Sequence, residues 1–400
     1  ARHRGRALSF TGAATLAEAV RMSWPFGGLP VGGVFLGQAG GPLLGTARLG
    51  GPLLLTALVW GGGAGLGELA VGAARWRRGS RSWPAAAGPV GVAVVVALGI
   101  AGALAPDGGA PAGAIRVAVA QGGGTRGFTA IETGRSGDFA AELAASAHLV
   151  GATHQTLVVW PEDVVALTRP LAGSPEAAQI SALARTLRTT LLAGVTVTEP
   201  DARFLNEIVA WGPSGRIVSV FEKAHRVPFG EYVPFRGLFS HLANLDAVPR
   251  DAVPGRASGS MATPAGQLGL LVSYEVFFAD RGRSSVRAGA RLLVVPTNTS
   301  SYSSEQMPSQ EVAADRVQAV EEGRDLVQAA PTGYSTFVTN TGIVVLQSVL
   351  SRQIVLVDRV ALRTGATIYE RFGDAPSLWL SGAALLAALL ASEGARRRHA

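Results

Sequence analysis

From Gly88 to Ala105 the chain runs for 18 residues without a charged side chain. No other feature limits its folding options as much. The run approaches the roughly 20 apolar residues that cross a bilayer core. Gly51–Val71 is a second candidate span and carries one carboxylate, Glu68. Two weaker candidates flank them. Ala7–Trp24 contains Glu18 and Arg21, and Ser377–Ala391 is short enough to be a buried helix of a soluble domain instead. A mean hydropathy of +0.29 with only 16% charged residues points to membrane segments rather than a fully soluble chain.

Arginines orient these candidates. Arg2, Arg4 and Arg6 precede the first, Arg75, Arg77, Arg78 and Arg81 separate the second from the third, and Arg396, Arg397 and Arg398 follow the fourth. Basic loops remain cytoplasmic. All three clusters can do so only if residues 25–50 and 106–376 lie outside. The net charge of +7 sits in short runs beside apolar segments, not along one helix face, so no nucleic-acid partner is expected. Cysteine is absent, which excludes disulfides, thiolate metal sites and a cysteine nucleophile. With Ala1 first and no secretory-signal pattern, the chain is expected to be a piece that lacks earlier membrane segments.

Residues 113–362 read differently. Strand-like runs at Ile115–Gln121, Thr156–Trp160, Leu191–Val197, Phe204–Trp211, Ile217–Phe221, Leu268–Val272, Leu292–Val295, Tyr334–Thr339 and Ile343–Gln347 alternate with helical stretches. The helices are expected at Asp138–Ala152, Pro175–Thr189, about Asp280–Ala288 and Pro308–Leu326. Pro213-Ser214-Gly215 and Asn340-Thr341-Gly342 are hairpin turns. This mixed order implies a layered α/β architecture, with Asp107–Gly113 as its linker to the apolar part. On the helix over 308–326, Arg316 and Glu321, with Arg324, are expected to form surface or subunit ion pairs. The six histidines show no metal-binding spacing.

Three stretches place an ionisable or hydroxyl residue just past an apolar strand, where α/β folds build their sites. Val158-Val159-Trp160-Pro161-Glu162 delivers a carboxylate. Phe221-Glu222-Lys223-Ala224-His225-Arg226-Val227-Pro228-Phe229-Gly230-Glu231-Tyr232-Val233-Pro234-Phe235 is too rich in large apolar residues for a plain solvent loop. Leu270-Leu271-Val272-Ser273-Tyr274-Glu275-Val276-Phe277-Phe278 puts a hydroxyl at a possible elbow. Taken singly, these read as a surface glutamate, a rigid packed loop and a turn serine.

Together they resemble the Glu–Lys–Cys constellation of the nitrilase (carbon–nitrogen hydrolase) superfamily, and in particular its membrane branch, the apolipoprotein N-acyltransferase family. Trp24-Pro25-Phe26-Gly27-Gly28-Leu29-Pro30, Gln38 and the terminal apolar segment extend the resemblance over nearly the whole chain, and Lys223–Pro234 is its most specific part. The resemblance implies an αββα sandwich attached to a bundle of transmembrane helices. Residues 1–110 would be transmembrane helices with an outer loop, 111–370 the extracytoplasmic domain, and 371–400 a last span with a basic tail. It also implies Glu162 as general base, Lys223 as oxyanion stabiliser and Ser273 at the nucleophile position. Glu231, Glu275, Tyr274 and Asn298 would be supporting residues, with no cofactor or metal. The implied reaction moves an acyl chain from membrane phospholipid to the amino group of a diacylglyceryl-cysteine apolipoprotein, in a multi-pass protein of the cytoplasmic (inner) membrane.

Two departures stand out. Ser273 occupies the cysteine position. In Pro296-Thr297-Asn298-Thr299-Ser300-Ser301-Tyr302, which resembles the family's Ser-Asn-Asp-Ala-Trp-Phe, Ser301 stands where tryptophan would be. A hydroxyl is far less acidic than a thiol and a lone glutamate is a poor base for it, so acylation is expected to be slow or absent and Ser273→Cys to restore it. A non-catalytic lipid- or lipoprotein-binding homologue, and a nitrilase-type amidohydrolase, are the competing readings.

Overall fold

The computed structural model describes residues 6–78, 87–127, 129, 137–201, 203–241, 245, 248–256 and 258–397. It divides into two compact units, Ala1–Asp107 with Ala366–Ala400, and Gly108–Gly365.

In the first unit all four apolar candidates are helical, as Arg6–Ser23, Ala47–Arg77, Ala87–Leu104 and Ala375–Arg397. Among the described residues one helix, Leu44–Arg77, is long and apolar enough to cross a membrane; Gly88–Leu104 and Ala375–Leu390 are apolar but shorter. Small residues let helices approach closely. A Cβ on Gly12 would fall 2.6 Å from the Ser381 carbonyl oxygen, and one on Gly88 3.1 Å from that of Gly65. The charges in the first helix are paired internally, Arg21 Nη2 lying 2.6 Å from Glu18 Oε1. The long helix is broken near its start, where Gly51 adopts φ +60°, ψ −155°, a region open essentially to glycine alone. The Tyr369 ring lies against that position, 2.4 Å from where a Cβ would stand.

The second unit contains two sheets. The first comprises β1 (Gly113–Gln121), β2 (Leu157–Val159), β3 (Val165–Leu167), β4 (Thr190–Thr198), β5 (Phe204–Trp211), β6 (Ile217–Glu222) and β13 (Ile354–Leu362). Its order is β13-β1-β2-β4-β5-β6, with β3 beside β4. The second is β12-β11-β10-β9-β8-β7, from β7 (Ser260–Thr263), β8 (Gly266–Leu270), β9 (Leu292–Pro296), β10 (Leu326–Ala329), β11 (Thr336–Val338) and β12 (Val344–Gln347). Alternate residues explain the layering. Val117, Val119, Leu157, Val159 and Leu192 face Leu268, Leu270, Leu292, Val294 and Val327 between the sheets. Ala118, Val158, Leu191 and Ala193 pack outward with Ala145, Ile180 and Ala184 of the helices Asp138–Ala147 and Pro175–Leu187. Strands buried on both faces read as unbroken apolar runs. Helices Ala279–Arg287 and Gln306–Glu322 accompany the second sheet, completing the expected α/β sandwich.

Three differences from expectation have local causes. The helix expected to reach Leu326 stops at Glu322, because Gly323 turns left-handed (φ +62°) and caps it. β13 was not anticipated, because Asp358 and Arg359 interrupt its apolar pattern; it nevertheless pairs antiparallel with β1 from Gly113↔Leu362 to Gln121↔Ile354. Arg316, Glu321 and Arg324 were expected to form surface or subunit ion pairs, but Glu321 and Arg324 are buried and do not lie on the surface. Arg324 donates to the carbonyls of Ala290, Glu322, Gly323 and Gly365, and Arg316 Nε to that of Gly342 at 2.6 Å. Carbonyls left over at helix and strand ends need donors, and the guanidinium fork supplies several at once.

Candidate active site

β2 runs straight into the first candidate. Trp160 is fully buried, its indole N–H donating to Ser146 Oγ at 2.8 Å and its backbone N–H to the Leu192 carbonyl at 2.9 Å. The backbone of 161–163 then crosses so close to β4 that a Cβ on Gly194 would lie 2.4 Å from both Pro161 O and Asp163 N. Only glycine permits that approach. It turns Glu162 inward, to 4% exposure.

Lys223 follows β6 and extends the pairing with β5, its N–H donating to Asn206 O at 2.9 Å. Its side chain is 2% exposed. Nζ sits 2.8 Å from Glu162 Oε1 and 2.8 Å from Glu231 Oε1. Asn206 Nδ2 donates to the same two oxygens, at 2.8 and 3.1 Å. Glu231 Oε2 accepts the Val227 N–H at 2.8 Å and so closes its own loop. Burial pulls this amine's pKa down, but Glu162 and Glu231 outweigh it and hold the ammonium well above the ordinary lysine range.

Ser273 begins a tight turn, Ser273–Phe277, three residues beyond the end of β8. Its φ of +51° is a strained value for a residue with a Cβ. Glu275 is fully buried and fastens this elbow to the lysine loop. Oε2 accepts the Val272 N–H at 3.0 Å, and Oε1 the N–H groups of Ala224 and His225 at 3.0 and 3.1 Å. Arg281 Nε stands 3.2 Å from Oε1. Burial opposes ionisation of Glu275, but His225, Arg281 and the backbone donors prevail and hold its carboxyl below the usual range. Tyr274 packs edge-on against Phe278 at 5.1 Å, and His225 stacks on the same ring at 4.2 Å. Asn298 shapes the turn after β9, Oδ1 accepting the Ser300 N–H at 3.0 Å. No hydrogen bond among the described residues joins it to the Glu162–Lys223 cluster.

One carboxyl escaped the sequence reading. Glu311, on the helix Gln306–Glu322, is 2% exposed and accepts a hydrogen bond from Thr297 Oγ1 at 2.7 Å. It lies near enough to Glu162 and Lys223 to feel both charges. Burial, reinforced by Glu162, pushes it up to about 8 against the pull of Thr297, Lys223 and Ser273. One turn on, Asp315 is buried too and raised well above its usual range, first by burial and then by Glu311, while Thr336 Oγ1 donates to it at 3.3 Å. Two signals were available. Asn206 is an asparagine inside a strand, where that residue is disfavoured. Glu311, Asp315, Gln318 and Glu322 recur on one helical face, which the usual reading assigns to water, yet all four are buried.

A buried, permanently charged ammonium, a carboxylate beside it and a hydroxyl on a strained elbow form a site suited to attack on a carbonyl carbon. Layered sheets with this cluster at their strand ends define the class. The carbon-nitrogen hydrolase model matches residues 116–367, and the chain belongs to that family. More particularly, it is 33% identical over 304 residues to apolipoprotein N-acyltransferase of Geobacter metallireducens, covering 74% of this chain and 57% of that one. It is 29% identical over 358 residues to that of Mycolicibacterium smegmatis, covering 84% and 60%. The chain therefore spans a little under three fifths of the first relative and three fifths of the second. Among solved structures, yeast Nit3, of branch 10 of the nitrilase superfamily, aligns with a TM-score of 0.47 at 18% identity over 63% of this chain and 91% of that chain.

Proposed function

We propose that the chain transfers an acyl group from membrane phospholipid to the N-terminal amine of a diacylglyceryl-cysteine apolipoprotein, through an acyl-enzyme on Ser273. The observation that carries this reading is the buried Lys223 ammonium, fixed 2.8 Å from each of Glu162 and Glu231 beside the elbow bearing Ser273. In this mechanism Ser273 Oγ attacks the ester carbonyl while Glu162, as general base, takes its proton, and Lys223 neutralises the oxyanion. The lysophospholipid leaves with a proton, and the incoming amine then takes the acyl group and gives up its own. Glu162 and Glu231 orient the ammonium, Glu275 holds the elbow, Tyr274 packs its aromatic wall and Asn298 sets the loop over the site. Similarity to apolipoprotein N-acyltransferases supports the substrate class, and the apolar helix Leu44–Arg77 supports membrane residence. On this reading residues 1–110 and 371–400 make a multi-pass bundle in the cytoplasmic membrane, with 111–370 outside.

Serine in place of cysteine favours one other reading, a homologue that binds lipid or lipoprotein without chemistry. The full chain, reconstituted in vesicles containing acyl-labelled phospholipid, separates them. Acyl transfer puts label on the protein and then on an added diacylglyceryl-cysteine peptide, and Lys223→Met and Ser273→Ala abolish both. Vesicle binding without label on any form supports the non-catalytic reading, and release of ammonia from small amides alone would favour an amidohydrolase.

A further inference from the structure

We propose that Asp163 and Thr196 form a latch that positions Glu162 for its work as general base, a role that rests on the acyl-transfer reading above. Between β2 and β3 the chain sets five residues, 160–164, against two of β4, 193 and 194. The surplus must leave the ladder, and Glu162 lies at its centre. Such a bulge does not by itself fix the direction of its middle side chain. Contacts from β4 fix it on either side of Glu162. The Gly194 N–H donates to Pro161 O at 3.0 Å, and Thr196 Oγ1 donates to Asp163 Oδ1 at 2.7 Å.

Asp163 adopts φ +65°. Glycine takes that conformation without strain, and aspartate is among the few other residues that tolerate it. A side chain there needs a use that glycine cannot supply, and the bond to Thr196 supplies one. Asp163 is 9% exposed, so water competes little for that bond.

The same strands hold the carboxylate. Thr196 and Asn206 are register partners across β4 and β5, and directly opposed residues of an antiparallel pair share one face of the sheet. Thr196 grips the bulge through Asp163, while Asn206 Nδ2 donates to Glu162 Oε1 at 2.8 Å. Lys223, whose backbone N–H donates to Asn206 O at 2.9 Å, brings Nζ to 2.8 Å from the same Glu162 oxygen. Without the Thr196 bond, those two contacts alone must hold the carboxylate against a loosened backbone. A general base works only within hydrogen-bond reach of the proton it takes, and a misplacement of about 1 Å can cost about a hundredfold in rate. With the Gly194 bond and both carboxylate contacts still in place, a smaller loss is expected here.

The test measures acyl labelling of the full chain in vesicles of acyl-labelled phospholipid diluted with an ether-linked lipid that has no ester to donate. Rates are taken in the unaltered chain, or in its Ser273→Cys variant if only that form labels, and variants are compared within one form. Thr196→Val, which keeps shape and removes the hydroxyl, and Asp163→Ala should each lower the maximal labelling rate about tenfold. The half-saturating lipid fraction should change by less than about twofold. Asp163→Asn keeps an acceptor for Thr196 Oγ1 and tolerates the left-handed turn, so it should label within about threefold of the parent. Asp163→Gly relaxes the turn without restoring the bond. It should melt at or above the temperature of Asp163→Ala and still label about tenfold more slowly than the parent. Labelling of Thr196→Val or Asp163→Gly within about threefold of the parent overturns the latch and leaves acyl transfer standing. So does Asp163→Asn as slow as Asp163→Ala, or a loss confined to the half-saturating fraction. If neither the unaltered chain nor Ser273→Cys labels, the acyl-transfer reading fails and the latch fails with it.

Discussion

Replacing Lys223 by methionine tests the site most directly, because it removes a charge and almost no volume. The ammonium is what keeps Glu162 and Glu231 compatible, with both Oε1 atoms lying 2.8 Å from Nζ. Without it the two carboxylates face each other in a pocket where Asn206 Nδ2 is the remaining shared donor. Removing one partner of a buried ion pair costs about 3–5 kcal/mol, mostly as uncompensated buried charge. For a unit of this size each kcal/mol moves the melting temperature by about 2–4 °C, so Lys223→Met should melt about 10 °C or more below the parent at pH 8. The sign of its pH dependence follows from the same geometry. In the variant the crowded carboxylates favour sharing a proton, so one folded-state pKa lies above its unfolded value. That protonation stabilises the fold in acid, and the benefit is lost as pH rises. The deficit should therefore narrow toward pH 5. Calorimetry of the solubilised chain at both pH values measures it. A deficit under about 2 °C at pH 8, or one that widens in acid, would refute the reasoning.

Two further outcomes are expected. Glu142 is fully buried, accepts the Gly122 N–H at 2.6 Å, and is pushed up to about 8 by burial; its stabilising protonation is complete below the unfolded value near 4.5 and is lost by the time pH passes 8. Glu142→Gln should therefore gain on the parent by about 1.4 kcal/mol per pH unit across that window, and parallel melting curves from pH 5 to 8 would contradict this. On the proposed topology, with the arginine clusters cytoplasmic and residues 106–376 outside, a membrane-impermeant reagent should reach a site near Gly215 from outside in intact cells; reaction only after the cytoplasmic face is opened would reverse the topology.

The second unit was legible in the sequence where one face of an element met water and the other met core. The run Phe204–Trp211 matches β5 residue for residue, because its flanking turns are explicit and its partners are local. β13 was not legible, although it pairs with β1 along nine residues. Its partner lies more than two hundred positions earlier, and Asp358 and Arg359 sit in a half-exposed edge strand where charge is tolerated. The first unit shows the reverse. All four apolar segments are helices, yet among the described residues one is long and apolar enough to cross a membrane. Hydropathy reports that a helix forms and is greasy, and leaves open what covers it.

The site divides along the same line. Glu162, Lys223 and Glu231 follow strand ends or lie in one dense loop; the local pattern singled them out, the family resemblance implied their meeting, and they form one buried cluster. Glu311 belongs to no motif and sits on a stripe that ordinary amphipathic logic sends to solvent. That logic assumes a helix has a wet face. The helix Gln306–Glu322 buries Val312, Val317 and Val320 as well as Glu311, Asp315 and Gln318, so it has almost none. A carboxyl in such a place must be kept neutral or given work.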